Sequence, residues 1–266
     1  MKIYDCITFF EEEFLFDLRL KILNKYVDYF VVCESIYSHN GEKKGQLFNP
    51  DLYKEYKSKI IHLILDEFPN NSSRWQRQDF QRDFIINAIK NADEDDLILF
   101  SDSDEIPDPE KITKLNFKKK FFLFEQKHFC YKFNVINSTE YLWEGTRGCK
   151  KKYLSSFNWL RTKVKKKNLH YPFWRIDKEK NIELVTNGGW HFSYFLSPTQ
   201  IAKKINSSPH EEFINEENLN LQKIEEKIAS LSDPLGREKI LKKISDREIL
   251  PNEVKSNPDL YSKWFI

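Results

Sequence analysis

Three carboxylates follow directly on the apolar run Leu97-Ile98-Leu99-Phe100. They are Asp102, Asp104 and Glu105, in the segment Ser101-Asp102-Ser103-Asp104-Glu105-Ile106-Pro107. A short apolar run with polar residues on both sides reads as a buried strand of an α/β sheet. The acids then stand just past its C-terminal end, where open α/β sheets bind their ligands. In an extended backbone Asp102 and Asp104 would point to the same side. Two carboxylates so placed make a hard oxygen site for Mg²⁺ or Mn²⁺, with phosphate oxygens completing the shell. A solvated turn that opens a helix is the plainer account. Asp108-Pro109-Glu110 has that pattern, with an N-cap, a proline at the first helical position and a first-turn acid. It accounts for Asp108 and leaves Asp102 and Asp104 open. An EF-hand loop is excluded, because Pro107 stands where that loop needs glycine. A phosphatase with Asp102 as nucleophile would need Thr or Val at the position of Ile106.

Other residues could serve such a site. Arg74, Arg77 and Gln81 are three and four apart and share a helix face, with Arg82 just off it. Arginine forks bind phosphate or carboxylate, and an exposed helix face would carry the same residues. Gly188-Gly189-Trp190-His191 lets backbone approach a ligand closely, and His191 is either a third metal ligand or a core histidine beside Trp190. Lys44, in the loop His39-Asn40-Gly41-Glu42-Lys43-Lys44, faces phosphate or water. Trp143 could be a sugar platform and Glu144 a base, or the two could be a core tryptophan and a surface acid. Lys118–Lys120 and Lys165–Lys167 read as solvated charge runs.

The elements that must hold these residues are legible in outline. Lys2 to Phe10, Asp28 to Cys33, Lys59 to Leu65 and Asp96 to Phe100 read as strands; Glu12 to Tyr26 and Arg74 to Ala92 read as helices. That alternation predicts a mostly parallel sheet with helices on both faces, gathering Thr8, Glu34 and Asp102 along one edge. Further on, 121–126 and 128–133 read as two antiparallel strands, and 152–154 as another. Asn218 to Ala229 and Gly236 to Ser245 read as amphipathic helices. The division expected is a domain over 1–214 and a charged helical extension over 215–266.

Composition narrows the function classes. The 266 residues include 43 basic and 41 acidic ones, a net charge of +2, which argues against a dedicated nucleic-acid binder. Cys6, Cys33, Cys130 and Cys149 form no C-x-x-C pair and no disulfide framework. No apolar run is long enough to span a bilayer, and Met1-Lys2-Ile3-Tyr4-Asp5 does not open a signal peptide. The expectation is a soluble, cytoplasmic protein.

In order along the chain, Tyr4-Asp5-Cys6-Ile7-Thr8-Phe9-Phe10, the run 27–32 with Glu34, the loop His39 to Lys44, Arg74-Trp75-Gln76-Arg77 with Gln81-Arg82, the segment Ser101 to Pro107, and Gly188-Gly189-Trp190-His191-Phe192-Ser193-Tyr194 resemble glycosyltransferase family 17 over about residues 1–210. The resemblance implies a GT-A-like fold, a nucleotide-sugar donor, a carbohydrate or glycoconjugate acceptor, a divalent metal (Mn²⁺ or Mg²⁺) and inversion at the anomeric centre. Within it Asp102 and Asp104 match the D-x-D pair and His191 the C-terminal metal-binding histidine. Thr8, Phe9 and Glu34 fall where such folds hold the nucleoside, with Lys44 and Trp190 also on the donor side. Arg77 and Arg82 would bind phosphate or orient the acids. Glu105 and Glu144 are the candidate bases beside Asp104. The expected donor is UDP-GlcNAc. A non-catalytic carbohydrate-binding protein is the other reading that the aromatic residues allow.

Overall fold

The computed structural model describes all 266 residues. Eleven strands join into one sheet: β1 (Ile3–Phe9), β2 (Tyr29–Ser35), β3 (Ile60–Leu65), β4 (Leu97–Ser101), β5 (Glu105–Pro107), β6 (Phe121–Cys130), β7 (Val135–Asn137), β8 (Leu142–Lys150), β9 (Ile182–Val185), β10 (Gly189–Ser193) and β11 (Leu241–Lys243). The helices are α1 (Glu13–Leu23), α2 (Arg74–Phe84), α3 (Pro109–Ile112), α4 (Phe157–Lys163), α5 (Pro198–Ser207), α6 (Glu216–Leu219), α7 (Leu221–Ala229) and α8 (Asn252–Ser256).

The N-terminal half follows the expected alternation. β3, β2, β1 and β4 lie side by side, all parallel. β1, β2 and β4 are mostly apolar on both faces because helices cover both, whereas the edge strand β3 is largely half-buried. On one face Ile7 and Phe9 of β1 pack with Leu15, Phe16 and Leu20 of α1. On the other, Cys6, Cys33, Ile98 and Phe100 meet Phe157 and Leu160 of α4, and Ile85 and Ile89 of the 3₁₀ turn that prolongs α2. Beyond β4 the sheet turns mixed. β8 runs antiparallel to β4 and to β6, and β9 and β10 each pair parallel with β6. The architecture is a GT-A-like α/β sheet, parallel on the β1–β4 side and mixed beyond it.

Several expectations are corrected here. Residues 121–130 form one strand, because a bulge between Leu123 and Glu125 keeps β6 paired with β8 as far as Lys127 and β10 holds the rest. Residues 151–153 are a 3₁₀ turn. The segment 236–245 is no helix; Leu241–Lys243 instead adds β11 to the free edge of β7. The part after 214 is only partly helical, and it completes the main body: Leu250, Val254 and Tyr261 belong to the same core as Phe9 and Phe192.

Candidate active site

The apolar β4 ends at Ser101, and the chain turns at once. The Glu105 amide donates to the Asp102 carbonyl (3.0 Å). This turn breaks the extended geometry that would have aimed both aspartates to one side, and they face different neighbours. Asp102 faces the helices. Arg161 Nη2 of α4 donates to its Oδ2 (2.7 Å), and Arg82 Nη2 of α2 to its Oδ1 (3.3 Å). Asp104 faces β10 and α5. Lys204 Nζ donates to its Oδ2 (2.9 Å), and His191 Nε2 lies 3.5 Å from its Oδ1.

Each partner is placed by an identifiable local signal. α2 begins at a capping box in which Ser73 and Gln76 satisfy each other's backbone amides, and its buried side ends in Gln81 and Arg82. α4 begins at Ser156, whose hydroxyl accepts from the Trp159 amide. Lys204 stands on α5, capped by Ser197 and Gln200, and bridges Asp104 to Glu12 Oε1 (2.9 Å). His191 sits mid-strand, opposite Glu105 on β5 and His128 on β6.

The charges are closely matched. Burial pushes the carboxyl groups of Asp102 and Asp104 up, and their cations outweigh it. Arg161 and Arg82 bring Asp102 below the ordinary carboxylate range, and Lys204 and His191 bring Asp104 far below it. Burial likewise disfavours the Lys204 ammonium, but Asp104 and Glu12 hold its pKa above the usual lysine value.

Several other candidates are tied into the structure. Glu105 is fully buried and engaged: Arg161 donates to both of its oxygens (2.6 and 2.8 Å), and Trp143 Nε1 donates to Oε1 (2.6 Å). A carboxylate so saturated has no lone pair facing an acceptor, so Glu105 is an anchor and not a base. Trp143 stacks on His191 (ring centroids 4.7 Å), with His128 against the same histidine (4.5 Å), so it steadies an imidazole and is no open sugar platform. Trp190 points to the opposite face of β10, buried, with Nε1 on the Ile249 carbonyl (2.7 Å). Phe9 is in the core among Phe16 and Phe48. Glu34 is buried and ties the following loop through the Leu47 and Phe48 amides (2.5 and 3.0 Å) and Lys44 (3.2 Å). Arg77 clamps that loop as well, donating to the His39 carbonyl (2.9 Å). Thr8 is half-buried at the end of β1. Glu144 keeps a partly open carboxylate, near Arg147 (3.5 Å) and the Lys166 amide (3.3 Å).

Arg161 and Lys204 are central here and were not singled out in the sequence. Ser156 before Phe157 was a legible cap for α4. No local feature links Arg161 to acids 56 and 59 positions away.

The sequence profile of glycosyltransferase family 17 matches residues 1–237. The chain belongs to glycosyltransferase family 17. As a family-17 chain it is 30% identical, over 116 residues, to the β-1,4-mannosyl-glycoprotein 4-β-N-acetylglucosaminyltransferases of Rattus norvegicus and Homo sapiens. Those matches span 40% of this chain and 22% of each relative. Among solved structures it is similar to a glycosyltransferase involved in glycosylation of the major capsid of PBCV-1 (11% identity, TM-score 0.34, 70% of this chain and 82% of that one). It is similar as well to HddC from Yersinia pseudotuberculosis (11% identity, TM-score 0.40, 70% and 90%). No helix is long and apolar enough to cross a membrane.

The donor set limits how a divalent cation could be held. No three His, Cys, Asp or Glu side chains converge, because Asp102 is turned to its two arginines. Asp104 Oδ1 and His191 Nε2 do face each other, and His191 Nδ1 is buried without a partner. One carboxylate and one imidazole, with the remaining positions left to phosphate and water, fit Mn²⁺ or Mg²⁺. Asp104 and His191 are the pair that could hold it; Asp102 is an outer group.

Proposed function

We propose that this family-17 chain transfers a sugar, GlcNAc from UDP-GlcNAc, to a hydroxyl of a glycan acceptor with inversion. The observation that carries the reading is the Asp104–His191 pair beyond the end of β4, flanked by Lys204, Arg82 and Arg161. A divalent cation held by Asp104 and His191 would supply positive charge for the departing diphosphate. Lys204 keeps Asp104 ionised and fixes one of its oxygens, which leaves the other turned to His191. Arg82 is the guanidinium with capacity left: it makes one contact to Asp102, and its buried Nε has no partner. It is therefore the group we assign to a donor phosphate. Arg161 is engaged by Asp102 and Glu105 and holds the turn. With Glu105 saturated, Glu144 is the carboxylate left to take the acceptor proton.

Calorimetric titration with UDP-GlcNAc, UDP-glucose, GDP-mannose and UDP, each with Mn²⁺ or with EDTA, tests this reading. Metal-dependent binding of UDP-GlcNAc, lost in Asp104→Ala, is expected. Transfer by Asp104→Ala should fall at least ~100-fold. Failure of the folded protein to bind any nucleotide sugar would overturn the reading.

A further inference from the structure

The loop between α4 and β9 exposes an apolar tip. Phe173 is 86% exposed, Trp174 66% and Ile176 95%. Three large apolar side chains on one short turn are seldom left in water without an interaction to serve. This turn is also built and held. Lys180 Nζ reaches inward to the carbonyls of Pro172 (2.6 Å), Phe173 (3.3 Å) and Arg175 (2.8 Å). Arg175 pairs with Asp177 through two hydrogen bonds (2.7 Å each), and its guanidinium lies over the Tyr171 ring. These contacts fold the polar side chains back along the loop and leave the apolar ones at its apex.

The surroundings indicate the partner. From Lys163 to Lys180 the chain carries seven Lys or Arg against two acids. Asp177 is neutralised within the loop by Arg175 and Lys178. The half-buried or exposed Lys163, Lys165 and Lys167 pair with no carboxylate. We propose that residues 169–178 form a peripheral docking loop for a bilayer bearing anionic lipid headgroups, with Phe173, Trp174 and Ile176 entering the interface and the lysines meeting the headgroups. An apolar tip with a tryptophan, flanked by unpaired cations, is the combination that binds such a surface. The tip is too narrow to supply by itself the roughly 800 Å² that each partner contributes to a stable protein interface. An aliphatic Ile176 at the apex offers nothing to a sugar ring. The lysines supply charge complementarity that a neutral glycan would not use.

The test is sedimentation of the full chain with vesicles of phosphatidylcholine alone and of phosphatidylcholine mixed with phosphatidylglycerol. The wild type should sediment with the anionic vesicles, remain free with the neutral ones and be released by salt. A combined Phe173→Ser, Trp174→Ser, Ile176→Ser variant should bind at least ~10-fold more weakly. A Lys165→Gln, Lys167→Gln variant should bind roughly 10-fold more weakly as well. Both should keep the wild-type melting temperature and nucleotide-sugar titration, which separates this loop from the donor site. If the multiple variant misfolds, Trp174→Ser alone serves the same comparison. A wild type that ignores every vesicle would overturn the proposal and point to a protein or glycan partner for the tip. Variants that sediment like the wild type would overturn it too.

Discussion

Glu105 and Glu144 carry the same functional group and have opposite surroundings. Glu105 lies inside a closed set of donors from Arg161, Trp143 and the Asp102 amide. Removing its charge leaves the buried Arg161 with Asp102 as its one carboxylate, so Glu105→Gln should lower the unfolding free energy by about 2 kcal/mol in a denaturant melt. Glu144→Gln should shift that melt less, since its carboxylate is partly open beside Arg147, and reduce transfer by at least ~100-fold, because a general base is lost. If it transfers at the wild-type rate, Glu144 is not the base. His39 gives a pH prediction. Burial, opposed by its bond to Gln81, lowers its pKa from 6.5 to about 4. The unfolded chain then binds the proton more readily, so this contribution is full above pH 6.5 and is lost as pH falls toward about 4. Thermal melts across that range should show the decline, and His39→Gln should flatten it.

At the level of elements, the site is a junction of short strands and helix ends. β10 inserts between β5 and β6 and so carries His191 beside Asp104. That insertion needs Gly189, which has φ +132°; a Cβ there would lie 2.2 Å from the Ile106 carbonyl oxygen. Gly189 thus serves strand packing, where the sequence had suggested approach to a ligand. Gly189→Ala should cost about 2 kcal/mol or more. It should also weaken Mn²⁺ binding, read by the paramagnetic resonance of the free ion, since His191 is two residues on. Tight Mn²⁺ binding in a folded Gly189→Ala protein would detach β10 from the cation site. α4 is the other decisive element. It was unread in the sequence because it has only seven residues, too few for helical periodicity to stand out.

Across the whole molecule, the C-terminal segment closes the core. Tyr261 packs on Phe14 and Phe133, and Trp264 stacks on Phe14 and Phe195. Tyr261→Ala should therefore destabilise the entire fold by about 3–5 kcal/mol, seen as one shifted melting transition. A second, unshifted transition would mark an independent unit. The parallel strands, the helices after the first and third of them, and the acids past β4 were legible in the sequence. Buried strands are written as apolar runs and helix starts as caps, and both are local patterns. Which of the acids is free and which is anchored was decided by the tertiary structure alone. Asp102, Asp104 and Glu105 are near neighbours of one chemical type, and nothing local distinguishes them. Their roles were set by cations that arrive from α2, α4 and α5, and by a tight turn that sends the two aspartates apart. Electrostatic pairing depends on distance in space, and a folded chain brings together charges that its sequence keeps 20, 59 and 100 positions apart.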